Sequence, residues 1–271
     1  MKRALAVAVC VWLSCSLSAQ TDEPFGLPLT GEAAETFLRT AEVVKKKALS
    51  VGITHSTQYT LNDGTRTAKA VWKTIDEGKP GVTNFQGGGF AVDFADSWKH
   101  EVASYELDKL VGTGLVPPTV ERTFDRATGS LQLWVEKAMT EADRKQRRIA
   151  PPDIEAWNRQ MYDVRLLHQL TFNLDAQNIR NVLSDPTFRV YAVDFSRAFA
   201  NYDDLRSAKE LVRFSRRSLE RLRALDRPTL DATLGQWLNG RQISAILKRR
   251  DKILALAERL VVENGESNVL F

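Results

Sequence analysis

The sequence predicts an α+β protein, with an antiparallel sheet in its first half and helices through most of its second half. Between residues 50 and 136, apolar residues recur with a period of two around turn residues, apart from one helical stretch. From residue 137 almost to the end they recur at helical spacing. We therefore predict a boundary between two lobes at about residue 137, within a chain of 271 residues that is long enough for both.

The N-terminus has the pattern of a secretory signal. Lys2 and Arg3 precede the apolar run 4–13, and small residues follow as far as Ala19. Residues 1–19 are therefore predicted to be a signal peptide, which places the protein outside the cytoplasm, secreted or periplasmic. Cys15 faintly resembles a lipid-attachment cysteine, but Trp12 stands where such sites carry Leu.

Removal of this segment changes the composition that bears on function. Both cysteines, Cys10 and Cys15, would be lost, which excludes disulfides, thiolate catalysis and Cys-ligated zinc. Two of the 38 basic residues would also leave, against 34 acidic ones, so the formal net charge falls from +4 to +2. Charge therefore gives little support to nucleic-acid binding. No apolar run after the signal is long enough to span a bilayer.

The residues before the sheet are predicted to form a leader and a helix. Pro24 and Pro28 indicate a leader without regular structure over 20–29, and Thr30 suits an N-cap. Apolar residues at helical spacing then predict an amphipathic helix over 32–49. Residues 20–49 thus precede the sheet-rich lobe, which we assign to 50–136.

The first hairpin of this lobe carries a candidate functional lysine. Asn62-Asp63-Gly64 is a strong hairpin turn, and the strand 67–75 places Lys73 between two apolar neighbours on one face. A lysine there requires a partner charge, unless it is an edge lysine that reaches solvent. Lys69, two residues earlier, is a competing candidate. The glycines of 81–89 are interpreted as a flexible connection rather than a phosphate-binding loop.

A helix over 97–112 follows, with Glu101 and Glu106 beside its apolar stripe, and periodicity does not choose between them. The prolines of 116–120 require extended backbone that leads to a second hairpin, with a turn at Gly129-Ser130 and a return strand over 131–135. In the second lobe we predict the following helices: 157–170, an Arg-rich helix capped by Ser207 and Glu210, one opening at Pro228, and 242–263.

The stretch 173–199 concentrates the residues suited to chemistry. Asp175, Asn178 and Asn181 are followed by the short apolar strand 190–193, which ends at Asp194. Carboxylate and amide oxygens of this kind can hold a divalent cation; the alternative is a polar hairpin with Asp and Asn in turn roles. A strand lysine, a helix glutamate and then these acids follow the order used in phosphoryl transfer.

Several segments resemble a known family. These are Lys-His-Glu-Val-Ala-Ser-Tyr at 99–105, Val-Pro-Pro-Thr-Val at 116–120, Gly-Ser-Leu-Gln-Leu-Trp-Val at 129–135, and parts of 173–181 and 193–199. The ordered set resembles bacterial atypical kinase-like proteins, similar to the clan of phosphatidylinositol 3-/4-kinases, Golgi secretory kinases and persistence-toxin kinases. The resemblance implies a two-lobed protein-kinase-like fold, with an antiparallel-sheet N-lobe and a mostly helical C-lobe over 137–271.

The resemblance also implies roles for individual residues. The segment around Gly52 would cover the nucleotide, Lys73 would contact its phosphates, and Glu101 would pair with Lys73. Val135 and Glu136, in the connection 133–136, would meet the adenine. Asp175 would be the catalytic base, and Asp194 with Asn181 would ligate Mg²⁺ or Mn²⁺, so that ATP or another nucleoside triphosphate is the implied cofactor.

Two departures from the family pattern leave alternatives open. Ala176 replaces the family's Arg, and the loop is one residue longer, so that Arg180 falls where a metal ligand is expected. Asn181 could still reach the metal, Asn178 could replace it, or the protein could be a non-catalytic pseudokinase that serves as a binding or scaffold module. The phosphoryl acceptor, whether protein, lipid or small molecule, and the oligomeric state are not predicted.

Overall fold

The structure is a computed structural model that describes residues 25–49, 56–84 and 90–271. The predicted signal peptide, Cys15 and Gly52 lie outside these residues. The strands are β1 Glu42–Ala48, β2 Thr57–Asn62, β3 Thr67–Lys73, β4 Asp76–Asn84, β5 Phe90–Ser97, β6 Thr119–Phe124, β7 Ala127–Leu133, β8 Met139–Thr140, β9 Val182–Ser184 and β10 Val190–Ala192. The α-helices are α1 Gly31–Thr40, α2 Trp98–Val111, α3 Glu141–Gln146, α4 Ile154–Thr171, α5 Arg216–Ala224, α6 Arg227–Leu234, α7 Gly240–Asn264 and α8 Glu266–Val269.

A five-stranded antiparallel sheet, in the order β1-β2-β3-β7-β6, forms the first half of the protein. Burial alternates along β3, so that Ala68, Ala70 and Trp72 face one side while Lys73 faces the other. The buried side packs with Phe37 and Leu38 of α1 in one hydrophobic cluster. The α+β prediction is confirmed, and the opposite face of β3 is left to carry the lysine.

The predicted helix over 32–49 is wrong in its second half. Helix α1 ends at Thr40, and Ala41 is already extended, with φ −61° and ψ 144°. Residues 42–48 instead form the edge strand β1, which pairs with β2. The adjacent β-branched Val43 and Val44 favour a strand, and pairing with β2 outweighs the helical spacing of the apolar residues.

The second hairpin turns four residues earlier than the sequence predicts. Phe124 pairs with Ala127, so Asp125 and Arg126 form the turn, with φ of 51° and 71°. Positive φ at both central residues is the mark of a type I′ hairpin turn. Gly129 has a different role, because a Cβ there would lie 2.2 Å from the carbonyl oxygen of Lys73. The glycine permits close contact between strands rather than a turn.

The glycine-rich connection is partly a hairpin. Residues 81–84 belong to β4, which pairs with β5, while 85–89 lie outside the described residues. Gly81, at φ 81°, occupies an irregularity between Lys79 and Val82 and donates its N–H to Asp93. The prediction of a loop over 81–84 is therefore wrong, because a bulge absorbs the glycine without ending the pairing.

The β4–β5 hairpin also contacts the second half of the chain. The Ser97 N–H donates to the carbonyl of Ser196 at 2.9 Å, and the Val92 N–H donates to Oη of Tyr202 at 2.9 Å. Strand β5 leads directly into α2, whose N-cap is the side chain of Ser97. The helix over 97–112 is confirmed, and its start is held against the helical half.

Helices α2 and α4–α7 surround a second, larger hydrophobic cluster that includes Leu107, Leu167 and Ile246. The predicted helices over 157–170 and 242–263 and at Pro228 are confirmed. The predicted capping box is wrong: Ser207 makes no side-chain cap and precedes only a short 3₁₀ turn, whereas Ser215 caps α5. Within the described ranges, no helix has both the length and the apolar character needed to cross a membrane.

Candidate active site

Lys73 forms two ion pairs at the end of β3. Its Nζ lies 2.5 Å from Oε1 of Glu101 and 2.7 Å from Oδ1 of Asp194. The side chain of Lys73 is 12% exposed and that of Glu101 is 2% exposed. Lys69, the competing candidate, binds Glu136 at 2.9 Å and is 43% exposed. The structure thus brings Lys73, rather than Lys69, next to two acids.

The charges of this cluster influence one another strongly. Burial acts to lower the pKa of Lys73, but Glu101 and Asp194 outweigh it, so the pKa of Lys73 is raised. Burial raises the pKa of Glu101, and Lys73 offsets only part of this effect. For Asp194, burial is outweighed by the attraction of Lys73, and the pKa is lowered. Lys73 is therefore a cation and Asp194 a carboxylate at neutral pH.

Glu101 connects this cluster to the polypeptide that follows Asp194. It lies in the first turn of α2, and its Oε2 accepts the N–H of Phe195 at 3.0 Å. Glu106 is one and a half turns further along and pairs with Lys109 at 2.8 Å. The geometry therefore places Glu101 in the site and Glu106 in a separate ion pair on the same helix.

Asp194 follows β10 in a left-handed conformation, with φ 64°. The residues that follow Asp194 are held by buried side chains. Phe195 is fully buried and stacks on His168, with ring centroids 5.4 Å apart. His100 contacts the carbonyl oxygen of Ser196 through Nδ1 at 2.9 Å, so Nδ1 carries the proton. Burial lowers the pKa of His100 to about 4, which keeps it neutral. The carboxylate of Asp194 is thereby presented by a rigid backbone.

The loop over 173–181 presents Asp175 beside two amides. Oδ2 of Asp175 accepts Nδ2 of Asn181 at 3.0 Å and Nδ2 of Asn178 at 3.2 Å. The side chain of Asn173 accepts the backbone N–H of Asp175 at 2.9 Å and so fixes the start of the loop. The carbonyl of Asn181 accepts the N–H of Val193 at 2.9 Å, which ties this loop to the residue between β10 and Asp194.

A cavity of about 510 Å³ lies between these groups. Its lining includes Lys73, Asn178, Asn181 and Asp194 together with the segment 132–135, whereas Asp175 is not among the lining residues. The volume is within the range of small-molecule sites. Its residues come from the sheet, the connection and the loop, which are the elements that hold the predicted site residues.

In the connection 133–136, Val135 is the residue whose N–H and carbonyl groups both lack a hydrogen bond to the described residues. The Trp134 N–H donates to Lys69, and Glu136 exchanges both backbone hydrogen bonds with Gly26. Among the described residues, the backbone of Val135 makes no such bond, and Val135 lines the cavity. Glu136 is not among the lining residues, because its side chain binds Lys69 and its backbone binds Gly26. Glu101 likewise reaches the cavity only through Lys73.

This fold occurs in solved kinase structures. A hydra Fam20 protein, solved with sugar, matches 88% of this chain and 90% of its own, with a TM-score of 0.64 and 14% identity. The Golgi casein kinase matches 88% of this chain and 76% of its own, with a TM-score of 0.63 and 14% identity. The Helicobacter pylori proinflammatory kinase CtkA matches 84% and 98%, with a TM-score of 0.54 and 8% identity. The fold is a two-lobed protein-kinase-like fold.

At these identities the likeness shows the kinase-like fold alone, and for the fold it confirms the predicted resemblance to the Golgi secretory kinases. No family model matches the sequence, and no curated protein matches it. Lys73 and Glu101 come from the sheet-rich N-lobe, whereas Asp175, Asn181 and Asp194 come from the C-lobe. The cavity therefore lies between the two lobes of the kinase-like fold.

Two arginines near the site were not predicted to belong to it. Arg197 donates Nε to Asp96 at 2.8 Å, and its pKa, which burial alone would lower, is raised by Asp96 and also by Asp175 and Asp194. It therefore brings positive charge to both acids. Arg197 stands three residues after Asp194, within the segment 193–199 that carries the family resemblance. This position was the one sequence feature that could have placed Arg197 near the site. Arg180 is exposed and lines the cavity.

The donor set can be compared with what Mg²⁺ requires. Within the described part of the chain, no group of three or more His, Cys, Asp and Glu side chains is suited to hold a metal. Mg²⁺ bound with nucleotide needs fewer, since one or two protein oxygens with phosphates and water complete its shell. Oδ1 of Asn178 already accepts the backbone N–H of Arg180 at 3.2 Å. Asn181 makes no such bond through Oδ1 among the described residues, so Asp194 and Asn181 fit the ion better.

Proposed function

We propose that this protein is an atypical kinase that transfers the γ-phosphoryl group of ATP, or of another nucleoside triphosphate, to a hydroxyl acceptor. The observation that carries the proposal is the position of Lys73, which pairs with Glu101 and Asp194 and lines one cavity with Asp194 and Asn181. Asp175 lies directly behind Asn181, whose amide it accepts. A buried lysine paired with two acids, next to a carboxylate and an amide, provides the parts that phosphoryl transfer uses. The kinase-like neighbours support the same reaction class.

Each residue of the site has a task in this proposal. The free backbone groups of Val135 would hydrogen-bond the adenine, and Lys73 would hold the phosphates while Glu101 fixes its position. Asp194 and Asn181 would hold Mg²⁺ or Mn²⁺, which neutralises phosphate charge when bound. Asp175 would accept the proton of the acceptor hydroxyl through Oδ1, since Oδ2 already accepts two amide N–H groups.

We include export in the proposal, with residues 1–19 as the signal. One structural neighbour carries a Golgi name, which is in keeping with a secretory location for this kinase-like fold. The acceptor is left as any hydroxyl compound of protein, lipid or small-molecule type.

A binding or scaffold role as a pseudokinase is the second candidate, and one observation favours it. Arg180 lines the cavity where the family pattern places a metal ligand, and Ala176 stands in place of the family's arginine. A guanidinium there supplies positive charge near the phosphates, and it would compete with a cation for that position.

Nucleotide binding and transfer can be separated by two variants. Wild-type protein is expected to be stabilised thermally by ATP with Mg²⁺ or Mn²⁺ and to release or transfer phosphate, measured with γ-labelled ATP. Asp194→Asn should abolish the metal-dependent stabilisation, whereas Asp175→Asn should keep it and lose transfer. Asp204→Asn, at an exposed surface acid, is the matched control and should behave as wild type.

The outcomes distinguish the two candidates. Stabilisation by nucleotide and metal without transfer, in wild type and in Asp175→Asn alike, supports the pseudokinase. No stabilisation of the wild type by any nucleotide, with or without metal, contradicts the kinase proposal.

A further inference from the structure

A second cavity, of about 450 Å³, lies in the C-lobe. It is bounded by the N-terminal half of α4, by the loop that follows α2 and by the residues that lead into β10. It shares no lining residue with the cavity that holds Lys73. Its size is sufficient for a small organic ligand.

The side chain of Asp163, on α4, is unsatisfied in this cavity. Its Oδ1 is shielded from solvent and has no hydrogen-bond partner in the described part of the chain. Asp163 lines the cavity, and because Oδ1 is shielded, Oδ2 is the oxygen that a ligand there could reach. Among the described residues, no side chain forms an ion pair with Asp163. Burial, aided by the charge of Asp108, raises the pKa of Asp163 to about 7. A carboxyl left in this state is unusual, because buried charges are normally paired.

Asp108, on α2, is near enough to raise the pKa of Asp163, but it does not supply the missing partner. Its carboxylate already accepts the hydroxyl of Thr113 and the N–H groups of Gly114 and Val116. Both groups are acids, so each disfavours ionisation of the other. A positive charge in the cavity would be attracted by both.

The other polar groups around the cavity are already engaged. Arg189 donates to the carbonyl of Gly114 at 3.0 Å, and Gln160 accepts the N–H of Val190 at 2.8 Å. Glu155 pairs with Arg159 and with Arg213, both at 3.3 Å. Asp153 caps α4 by accepting the N–H of Ala156. Of the three acids that line the cavity, Asp163 is therefore the one without a hydrogen bond or an ion pair among the described residues.

We propose that this cavity binds an alkylammonium group, with the ammonium nitrogen paired to the carboxylate of Asp163. The three donors of an ammonium suit a carboxylate without hydrogen bonds, and the apolar side chains of Leu115, Ala156 and Val190 line the cavity beside its alkyl part. A metal ion fits less well, because no group of three acidic, His or Cys ligands is present in the described residues. The proposal is independent of nucleotide binding between the lobes.

The ammonium group could come from a free diamine or from a lysine side chain of another protein, and the two probes are tested separately. Binding of 1,4-diaminobutane and of an acetylated, amidated lysine peptide is measured by calorimetry at pH 6 and pH 8. Saturable binding of either probe at pH 8 supports the proposal, and the probe that binds more tightly identifies the source. Binding should be about ten-fold weaker at pH 6, because about a tenth of Asp163 is ionised there.

Asp163→Asn should abolish this binding. Asp251→Asn, which removes an exposed acid of α7 that does not line the cavity, is the matched control and should change Kd less than about three-fold. A measurement on the wild type does not depend on either variant folding: at pH 7, binding should release about half a proton, seen by comparing two buffers of different ionisation heat. Absence of saturable binding by both probes at pH 8, equal Kd in Asp163→Asn and wild type, or no proton release overturns the proposal.

Discussion

Replacing Lys73 by methionine tests whether the ion-pair cluster is built as described. At 2.5 and 2.7 Å, each pair is worth about 6 kcal/mol of attraction at an effective dielectric constant of 20. Most of this offsets the loss of hydration, so the expected net loss of unfolding free energy is about 3–5 kcal/mol. The loss arises because Glu101, only 2% exposed, is left without a cation and next to Asp194.

The matched control is Lys69→Met on the same strand. Lys69 pairs with Glu136 but is 43% exposed, so its removal should cost at most about 1 kcal/mol. Unfolding by urea at pH 7 measures both variants. The double variant Lys73→Met with Glu101→Gln should recover part of the loss, since it removes the stranded charge as well.

The pH dependence of the Lys73→Met variant provides a second test. Burial already raises the pKa of Glu101, and without Lys73 it rises further. The folded variant then binds a proton more readily than the unfolded chain, so its deficit should shrink as the pH falls from 7 to 5. A loss for Lys73→Met no larger than for Lys69→Met, or a deficit that grows towards pH 5, would refute this reasoning.

Three further outcomes are expected in urea unfolding. Gly129→Ala should lower the free energy of unfolding by about 2–3 kcal/mol, because its Cβ would lie 2.2 Å from the carbonyl oxygen of Lys73. The control Gly78→Ala, whose Cβ would meet nothing within 4 Å, should lower it little. Equal effects of the two variants would contradict the close contact. His100 has a pKa lowered to about 4 by burial, so wild type should lose about 2 kcal/mol between pH 7 and 5 relative to His100→Gln, and parallel pH profiles would argue against a buried neutral imidazole. Asp163 has a pKa raised to about 7, so the wild type loses stability as the pH rises from 5 to 8. Relative to the wild type, the free energy of unfolding of Asp163→Asn should therefore increase by about 2–3 kcal/mol over this range. A difference between the two proteins that does not change with pH would argue against the raised pKa of Asp163.

The sequence predicted elements whose signals are local. The turn at Asn62-Asp63-Gly64 and the helix from Ser97 to Gly112 were predicted correctly because the residues that end these elements also set their backbone conformation. Strand β1 was missed because its structure depends on β2, a partner in space that periodicity does not reveal. The second turn was misplaced because glycine is favoured both where φ is positive and where two backbones approach closely. Gly129 is present for the second reason, since its backbone lies against the carbonyl of Lys73.

The candidate site shows the same division. Periodicity left Lys69 as an alternative to Lys73, and Glu106 as an alternative to Glu101. The family resemblance selected Lys73 and Glu101. Their separation of 2.5 Å depends on the tertiary structure, which periodicity does not reveal. The choice between Asn178 and Asn181 rests on which amide oxygen the backbone already uses, and no sequence pattern carries that information. Arg197 was overlooked because an arginine after an acid is ordinarily a surface residue, and its proximity to Asp175 and Asp194 depends on the folded loop.

The β4–β5 hairpin bears on how the two lobes can part. It joins the strand of Lys73 to the helix of Glu101, and Asp96 and Ser97 near its end are bonded to Arg197 and Ser196. These bonds fasten the lobes together on the α2 side of the cleft. The covalent connection 133–136 joins the lobes at a second place, so the two lobes are attached at both of these points. A relative movement of the lobes must turn about the line between the two attachments, or break the hydrogen bonds of the hairpin.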